Sequence, residues 1–333
     1  MSQRHDAPPD MPPDMRGDPA AGALIGIDWG TSSLRAWRMS ATGAVLAEAQ
    51  APWGILNLPD GGFPAALARL LADLNGDAGL KLIACGMVGS ASGWHEVGYV
   101  DCPADAAALA RALVRPAGRA MPGIVPGVRQ IHPVPDVMRG EETQIVGALA
   151  LYPELADAAT LILPGTHSKW ATVRAGRIVG FHTAMTGELF AVLSRHSILG
   201  RPGEGVPPAT EDAARLAFRQ GVRAAVQSRQ GVGPLLFSAR SLFLSGAVGA
   251  AETRDYLSGL LVGDEIRAGL AERPDMLPTV LIGEERLCGL YATAFEMLGA
   301  PVPRTIGNTA PAGLYHIAMT AGYFRTDPPT QSG

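Results

Sequence analysis

One pattern occurs twice in this chain, and it restricts the fold more than anything else in the sequence. In the first copy, Leu24-Ile25-Gly26-Ile27-Asp28 reads as a short apolar strand that runs into Trp29-Gly30-Thr31-Ser32-Ser33, and Leu34-Arg35-Ala36-Trp37-Arg38 resumes an extended pattern. In the second, Leu161-Ile162-Leu163 leads into Pro164-Gly165-Thr166-His167-Ser168, and Lys169-Trp170-Ala171-Thr172-Val173 follows, with a further turn at Ala175-Gly176. Gly30 and Gly165, Thr31 and Thr166, Ser33 and Ser168, and Ala36 and Ala171 keep one constant offset. Each copy therefore reads as strand, tight Gly-Thr turn, strand. Glycine in such a turn lets backbone approach an anion closely, while successive amides and Thr or Ser hydroxyls donate to phosphate oxygens. A single copy by itself reads first as an ordinary hairpin with small turn residues. Two copies, one near the start of each half, argue for two half-molecules built alike, each offering a phosphate-binding turn.

The bulk properties fit a small-molecule enzyme. With 333 residues, 47% hydrophobic and 17% charged, the chain can bury a core in one large or two medium domains. A net charge of −4, with no Lys/Arg cluster interleaved with aromatics, argues against a nucleic-acid partner. Cys85, Cys102 and Cys288 lack paired metal spacing and read as ordinary thiols in a reducing, cytoplasmic compartment. No apolar run is long enough to span a membrane. Residues 1–22, rich in Pro and Asp and without a signal-like apolar core, are expected to be a disordered tail, and 327–333 a flexible one.

Between and beyond the two copies lie further candidates. Lys81 to Cys85 reads as a strand entering Gly86-Met87-Val88-Gly89-Ser90, a step that borders a ligand or is a plain βα turn. Asp136-Val137-Met138-Arg139-Gly140-Glu141-Glu142-Thr143-Gln144 opens an apolar helix; its acids either stabilise the first turn or supply a reactive carboxylate. Glu188 to His196 has amphipathic spacing, and Arg195 with His196 beside Ser194 suits recognition of a carboxylate, although His196 alone reads first as a structural residue. Glu211 to Gln230 and Thr253 to Leu270 read as long helices, and Val280-Leu281-Ile282-Gly283 as a strand with a glycine exit into another.

The two copies resemble the phosphate motifs of the actin-like ATPase superfamily. That resemblance implies an α/β fold of two actin-like (ribonuclease H-like) domains with an interdomain ATP cleft, divided as 23–152 and 153–326. It places Gly30, Thr31 and Ser32 on one side of the phosphates and Gly165, Thr166, His167 and Ser168 on the other, with Lys169 as a charge-neutralising neighbour. Asp28 takes the place of the acid that holds Mg2+; Leu163 stands where the second copy would repeat it. The strand, glycine and helix at Gly283, Glu284 and Leu287 match the adenosine motif, although Glu284 and Glu285 are unusual company for a nucleotide.

From about Ile25 to Tyr323 the chain further resembles the 2-dehydro-3-deoxygalactonokinases of bacterial galactonate breakdown. The blocks that carry the likeness include Ile27–Thr31, Gly86–Ser90, Gly140–Gln144, Leu163–Trp170, Gly187–Phe190 and Ser194–Gly200. It implies transfer of the ATP γ-phosphoryl group to the 6-hydroxyl of 2-dehydro-3-deoxy-D-galactonate. Glu142, ahead of Glu141 and Asp136, is the expected base, and Gly89, Ser90, Arg139, Arg195 and His196 are the expected substrate contacts. The sequence leaves 2-dehydro-3-deoxygluconate open as an acceptor and a homodimer open as an assembly. An exopolyphosphatase-like phosphohydrolase and a non-catalytic sugar sensor are the competing readings.

Overall fold

The computed structural model describes residues 22–75, 80–117, 121–272 and 277–324. Of the tail expected over 1–22, only Gly22 is described, and it opens a strand; 1–21 and 327–333 lie outside the described residues. In chain order the elements are β1 Gly22–Trp29, β2 Leu34–Ser40, β3 Val45–Ala51, α1 Gly62–Asp73, β4 Lys81–Gly86, β5 Tyr99–Asp101, α2 Ala106–Arg111, β6 Gly123–Ile124, β7 Gly127–Gln130, β8 Asp136–Met138 and α3 Glu141–Leu151. They continue with β9 Ala158–Leu163, β10 Ser168–Arg174, β11 Arg177–Ala184, α4 Thr186–His196, α5 Glu211–Gln227, α6 Ser238–Leu244, α7 Thr253–Ala271, β12 Thr279–Ile282, α8 Glu285–Met297, β13 Arg304–Ile306 and α9 Ala310–Thr320.

Two compact units result. Among the described residues, one comprises those within 22–98, 106–127 and 310–324; the other comprises those within 99–105 and 128–309. This division differs from a single cut after residue 152. It groups 128–151, including α3, with the second hairpin, and returns α9 to the unit that holds the chain's beginning. The hydrophobic reason for the latter is visible in α9, where Leu314 packs against Gly26 of β1.

Each unit contains a five-stranded sheet, and the two sheets have one topology. The first runs β3-β2-β1-β4-β6 and the second β11-β10-β9-β12-β13. In both, the first three strands in sequence form an antiparallel meander and the last two join in parallel. Two copies of this arrangement are the actin-like, ribonuclease H-like fold, and the repeated hairpins are β1–β2 and β9–β10, as expected. The reason lies in the pattern: Ile25, Ile27 and Trp29 alternate onto a face covered by Ala66, Leu67 and Leu70 of α1. Similarly, Ile162, Trp170 and Leu281 pack with Phe218 and Val222 of α5, Val262 and Ile266 of α7, and Tyr291 and Phe295 of α8. Among the described residues no helix is long and apolar enough to cross a membrane.

Candidate functional site

In the first unit, register places the acid. Parallel pairing of β1 with β4 sets Asp28 beside Cys85 and Trp29 beside Gly86. Gly86 has φ +87°, and a Cβ there would lie 2.7 Å from the Trp29 carbonyl and 3.2 Å from Asp28 Oδ1, so only glycine lets the 86–90 segment start against this carboxylate. The Asp28 side chain keeps 13% exposure; its Oδ2 accepts from Arg35 at 2.6 Å, and the Cys85 thiol lies 3.9 Å from Oδ1. The adjoining turn is closed by the Gly30 N–H on the Ser33 carbonyl, 2.8 Å. The N–H groups of Ile55 and Leu56 take the Gly30 and Thr31 carbonyls from behind, at 3.1 and 3.2 Å. The N–H groups of Thr31 and Ser32 have no partner among the described residues, and both residues are exposed. The turn thus offers amides and hydroxyls outward, in the arrangement that suits anion binding. Gly89 is buried, and the Ser90 hydroxyl donates to the Met87 carbonyl at 2.8 Å.

The second unit supports its turn differently. Thr166 and His167 are exposed, and the first turn of α4 packs directly on the hairpin: the Glu188 N–H donates to the Thr166 carbonyl at 2.9 Å. A Cβ on Gly187 would fall 2.4 Å from the Gly165 carbonyl and 2.8 Å from Thr166 Cα, so glycine is needed for that approach. His167 Nε2 and Glu188 Oε2 are hydrogen-bonded.

Beneath the turn sits a residue that the sequence reading missed. Glu265, 7% exposed on α7, accepts from Ser168 Oγ at 2.7 Å, Trp170 Nε1 at 2.7 Å, Tyr291 OH at 2.6 Å and Thr186 Oγ1. Four donors from β10, α4 and α8 converge on one buried carboxylate, which meets the requirement that a buried charge be hydrogen-bonded. The phenol of Tyr291 is pushed well above its ordinary range, first by burial and then by the Glu265 charge, and so stays a donor. Only the hydroxyl-bearing and aromatic positions around it signal such a partner in the sequence; Glu265 itself reads as an ordinary helical acid. Ser168, expected on a phosphate, is fully buried in this network.

The acids that open α3 separate by burial. Glu142 is fully buried, accepting from the Gly140 N–H at 2.6 Å and the Thr143 hydroxyl at 2.8 Å, and burial followed by the Glu141 charge pushes it up to about 8. In this conformation both Glu142 oxygens are taken by protein donors and its side chain is closed off from solvent, so it can reach an acceptor only if that end of α3 opens. Glu141 keeps 23% exposure and pairs at 3.1 Å with Lys169, whose ammonium also donates to the His167 carbonyl at 3.0 Å. Lys169 is itself buried, so its charge is balanced inside the unit and its contact to the turn is through that carbonyl. Asp136 accepts from Val137 N–H at 2.7 Å and Thr183 Oγ1 at 2.8 Å and lines a cavity of about 810 Å3 together with Trp170, His182 and Glu265. Arg139 lies over the Tyr99 ring at 4.4 Å.

Gly283 follows β12 with φ +148°, and a Cβ there would come to 3.8 Å from the Pro164 carbonyl, which brings this glycine to the second turn. Glu284 is exposed and caps α8, accepting from the N–H groups of Arg286 at 3.0 Å and Leu287 at 2.9 Å. Its carboxylate is occupied with the helix end, which explains the unusual acid without involving a nucleotide. Arg195 and His196 are exposed in the last turn of α4.

The duplicated sheet with a Gly-Thr turn in each copy defines a protein of the actin-like fold. Residues 28–317 match the model of the 2-keto-3-deoxy-galactonokinase family, and the chain belongs to that family. It is 41% identical over 285 residues to the probable 2-dehydro-3-deoxygalactonokinase of Rhizobium meliloti strain 1021, covering 85% of this chain and 92% of that protein. The 2-dehydro-3-deoxygalactonokinase of Escherichia coli K12 is 33% identical over 297 residues, 88% of this chain and 97% of that one. A crystal structure of a Sinorhizobium meliloti protein, described as a 2-dehydro-3-deoxygalactonokinase, superposes with a TM-score of 0.79 at 36% identity, covering 90% of this chain and 98% of that one.

Proposed function

We propose that this protein transfers the γ-phosphoryl group of ATP to the 6-hydroxyl of 2-dehydro-3-deoxy-D-galactonate. The observation that carries the reading is the pair of Gly-Thr turns in a chain of this family, the first with exposed, unpartnered amides beside a carboxylate. Such transfer is achieved chiefly by positioning and charge neutralisation. In this reading the free amides of Thr31 and Ser32 donate to phosphate oxygens from the first unit, with Gly30 letting the backbone come close, while Gly165, Thr166 and His167 serve the phosphates from the second. Glu265, Lys169 and Gly187 hold the second turn in place, and Gly283 lends open backbone next to it.

Asp28 fits Mg2+ of one kind only. A single carboxylate suits a Mg2+ that arrives with polyphosphate oxygens and water, and among the described residues no group of three or more His, Cys, Asp or Glu forms a protein cage. Arg35 would shift from Asp28 as the cation arrives. Held at Asp28, such an ion would supply charge neutralisation to the phosphates.

For the acceptor proton, burial of Glu142 moves the proposal to Asp136 or Glu141. Gly89, Ser90, Arg139, Arg195 and His196 remain the proposed substrate contacts. The test is ADP release across a panel of 2-dehydro-3-deoxy sugar acids and neutral sugars, with Mg2+ and with chelator. Turnover restricted to the galacto acid supports the proposal. Equal ADP release without any acceptor would show a phosphohydrolase instead.

A further inference from the structure

At the end of α4 remote from the phosphate turn lies a second concavity, of about 430 Å3, walled by Ser194, Arg195, Arg254, Glu204 and the glycines of the 200–205 loop. Three elements build it: the last turn of α4, the loop, and the first turn of α7. Gly200 is pressed against α4, since a Cβ there would meet the Ser194 carbonyl at 1.7 Å, and this seats the loop under the pocket. The Arg254 stem runs beside Gly203, and its guanidinium lies over the Phe190 ring, 5.8 Å from the centroid. Neither Arg195 nor Arg254 makes an ion pair among the described residues. The Ser194 hydroxyl is buried and has no hydrogen-bond partner, although a helical serine ordinarily bonds back to its own backbone.

Two forked guanidiniums, an unmatched hydroxyl and the N-terminus of α7 are groups that suit an anion, set against the C-terminal end of α4 and Asp255 in the first turn of α7, whose charge interacts with Arg254. Glu204 in the lining and Asp255 beside Arg254 both temper the two guanidiniums, so a singly charged group suits the pocket better than a multiply charged one. We propose that this pocket binds the carboxylate of the sugar-acid substrate, with Arg254 and Ser194 completing the recognition begun by Arg195. The inference rests on the sugar-acid kinase reading. Gly187 touches the phosphate turn, and Arg195 lies eight residues further along the same helix, about 12 Å at the usual rise. The two ends of α4 can therefore take opposite ends of one extended acid, the acid group at one and the reacting hydroxyl towards the other.

The test is steady-state kinetics of the full chain with 2-dehydro-3-deoxy-D-galactonate and with its neutral amide. Arg254→Met and Arg195→Met should each raise KM for the acid about 10- to 100-fold, the effect of a lost charge-assisted bond, while KM for ATP stays unchanged. The wild-type preference for acid over amide should shrink by the same factor, and Arg254→Lys should recover part of it. Ser194→Ala should raise KM for the acid without lowering Tm, because it removes a hydroxyl that has no partner in the free protein. An unchanged KM in Arg254→Met, or equal losses for acid and amide, overturns the pocket while leaving the kinase reading intact. Absence of turnover by the wild type with every sugar acid overturns the kinase reading itself.

Discussion

At the level of single residues, burial separates acids that look alike in the sequence. Glu141 and Glu142 are neighbours, yet one is paired with Lys169 and the other is sealed inside the unit. Because Glu142 titrates near 8 when folded and near 4.5 when unfolded, the folded state binds the extra proton between those values. Its contribution is full below about 4.5 and declines as pH rises towards 8, with a slope of at most about 1.4 kcal/mol per pH unit. Urea unfolding of the wild type and Glu142→Gln across this window should show that slope in the wild type alone, with turnover at neutral pH kept within a few-fold. A collapse of turnover in Glu142→Gln would restore it as the base. For Asp28→Asn, turnover should fall about 10²-fold or more while the circular dichroism spectrum is unchanged. Near-normal activity there would remove its role with Mg2+.

The hairpin elements are held by contacts that can be tested separately. Gly187→Ala brings a methyl into the Gly165 carbonyl, so the turn must move; stability should fall by about 1–3 kcal/mol and KM for ATP should rise. Gly165→Ala is the informative contrast, because nothing in the protein lies within 4 Å of a Cβ there. It should leave the melting temperature unchanged or slightly raised, by up to about 1 kcal/mol of stability, yet weaken ATP binding if phosphate approaches that face. Removing the buried carboxylate in Glu265→Ala strands the Ser168, Trp170, Thr186 and Tyr291 donors and should cost at least about 3 kcal/mol. The strands and the Gly-Thr turns were legible because alternation and turn chemistry are local. The Glu265 network was not, because its partners lie far apart in sequence and meet only when α7 packs beneath β10.

Across the whole molecule, nucleotide binding should appear as added stability. ATP with Mg2+ at about 100 times its Kd should add about 2.7 kcal/mol, raising Tm measured by calorimetry, and ATP with chelator should add less. Two compact units also mean that unfolding need not be a single transition. The repeated strand, Gly-Thr turn and strand, with its apolar alternation, determined by itself that the chain would build two like sheets and carry phosphate-type turns. The tertiary structure alone decided that 128–151 and α9 belong to the units they do, that Glu142 is sealed from solvent and Glu265 is the anchor, and that Arg195 shares a pocket with Arg254. The physical reason is that periodicity and turn chemistry act over a few residues, whereas desolvation and the meeting of donors with a buried acceptor depend on elements brought together from distant parts of the chain.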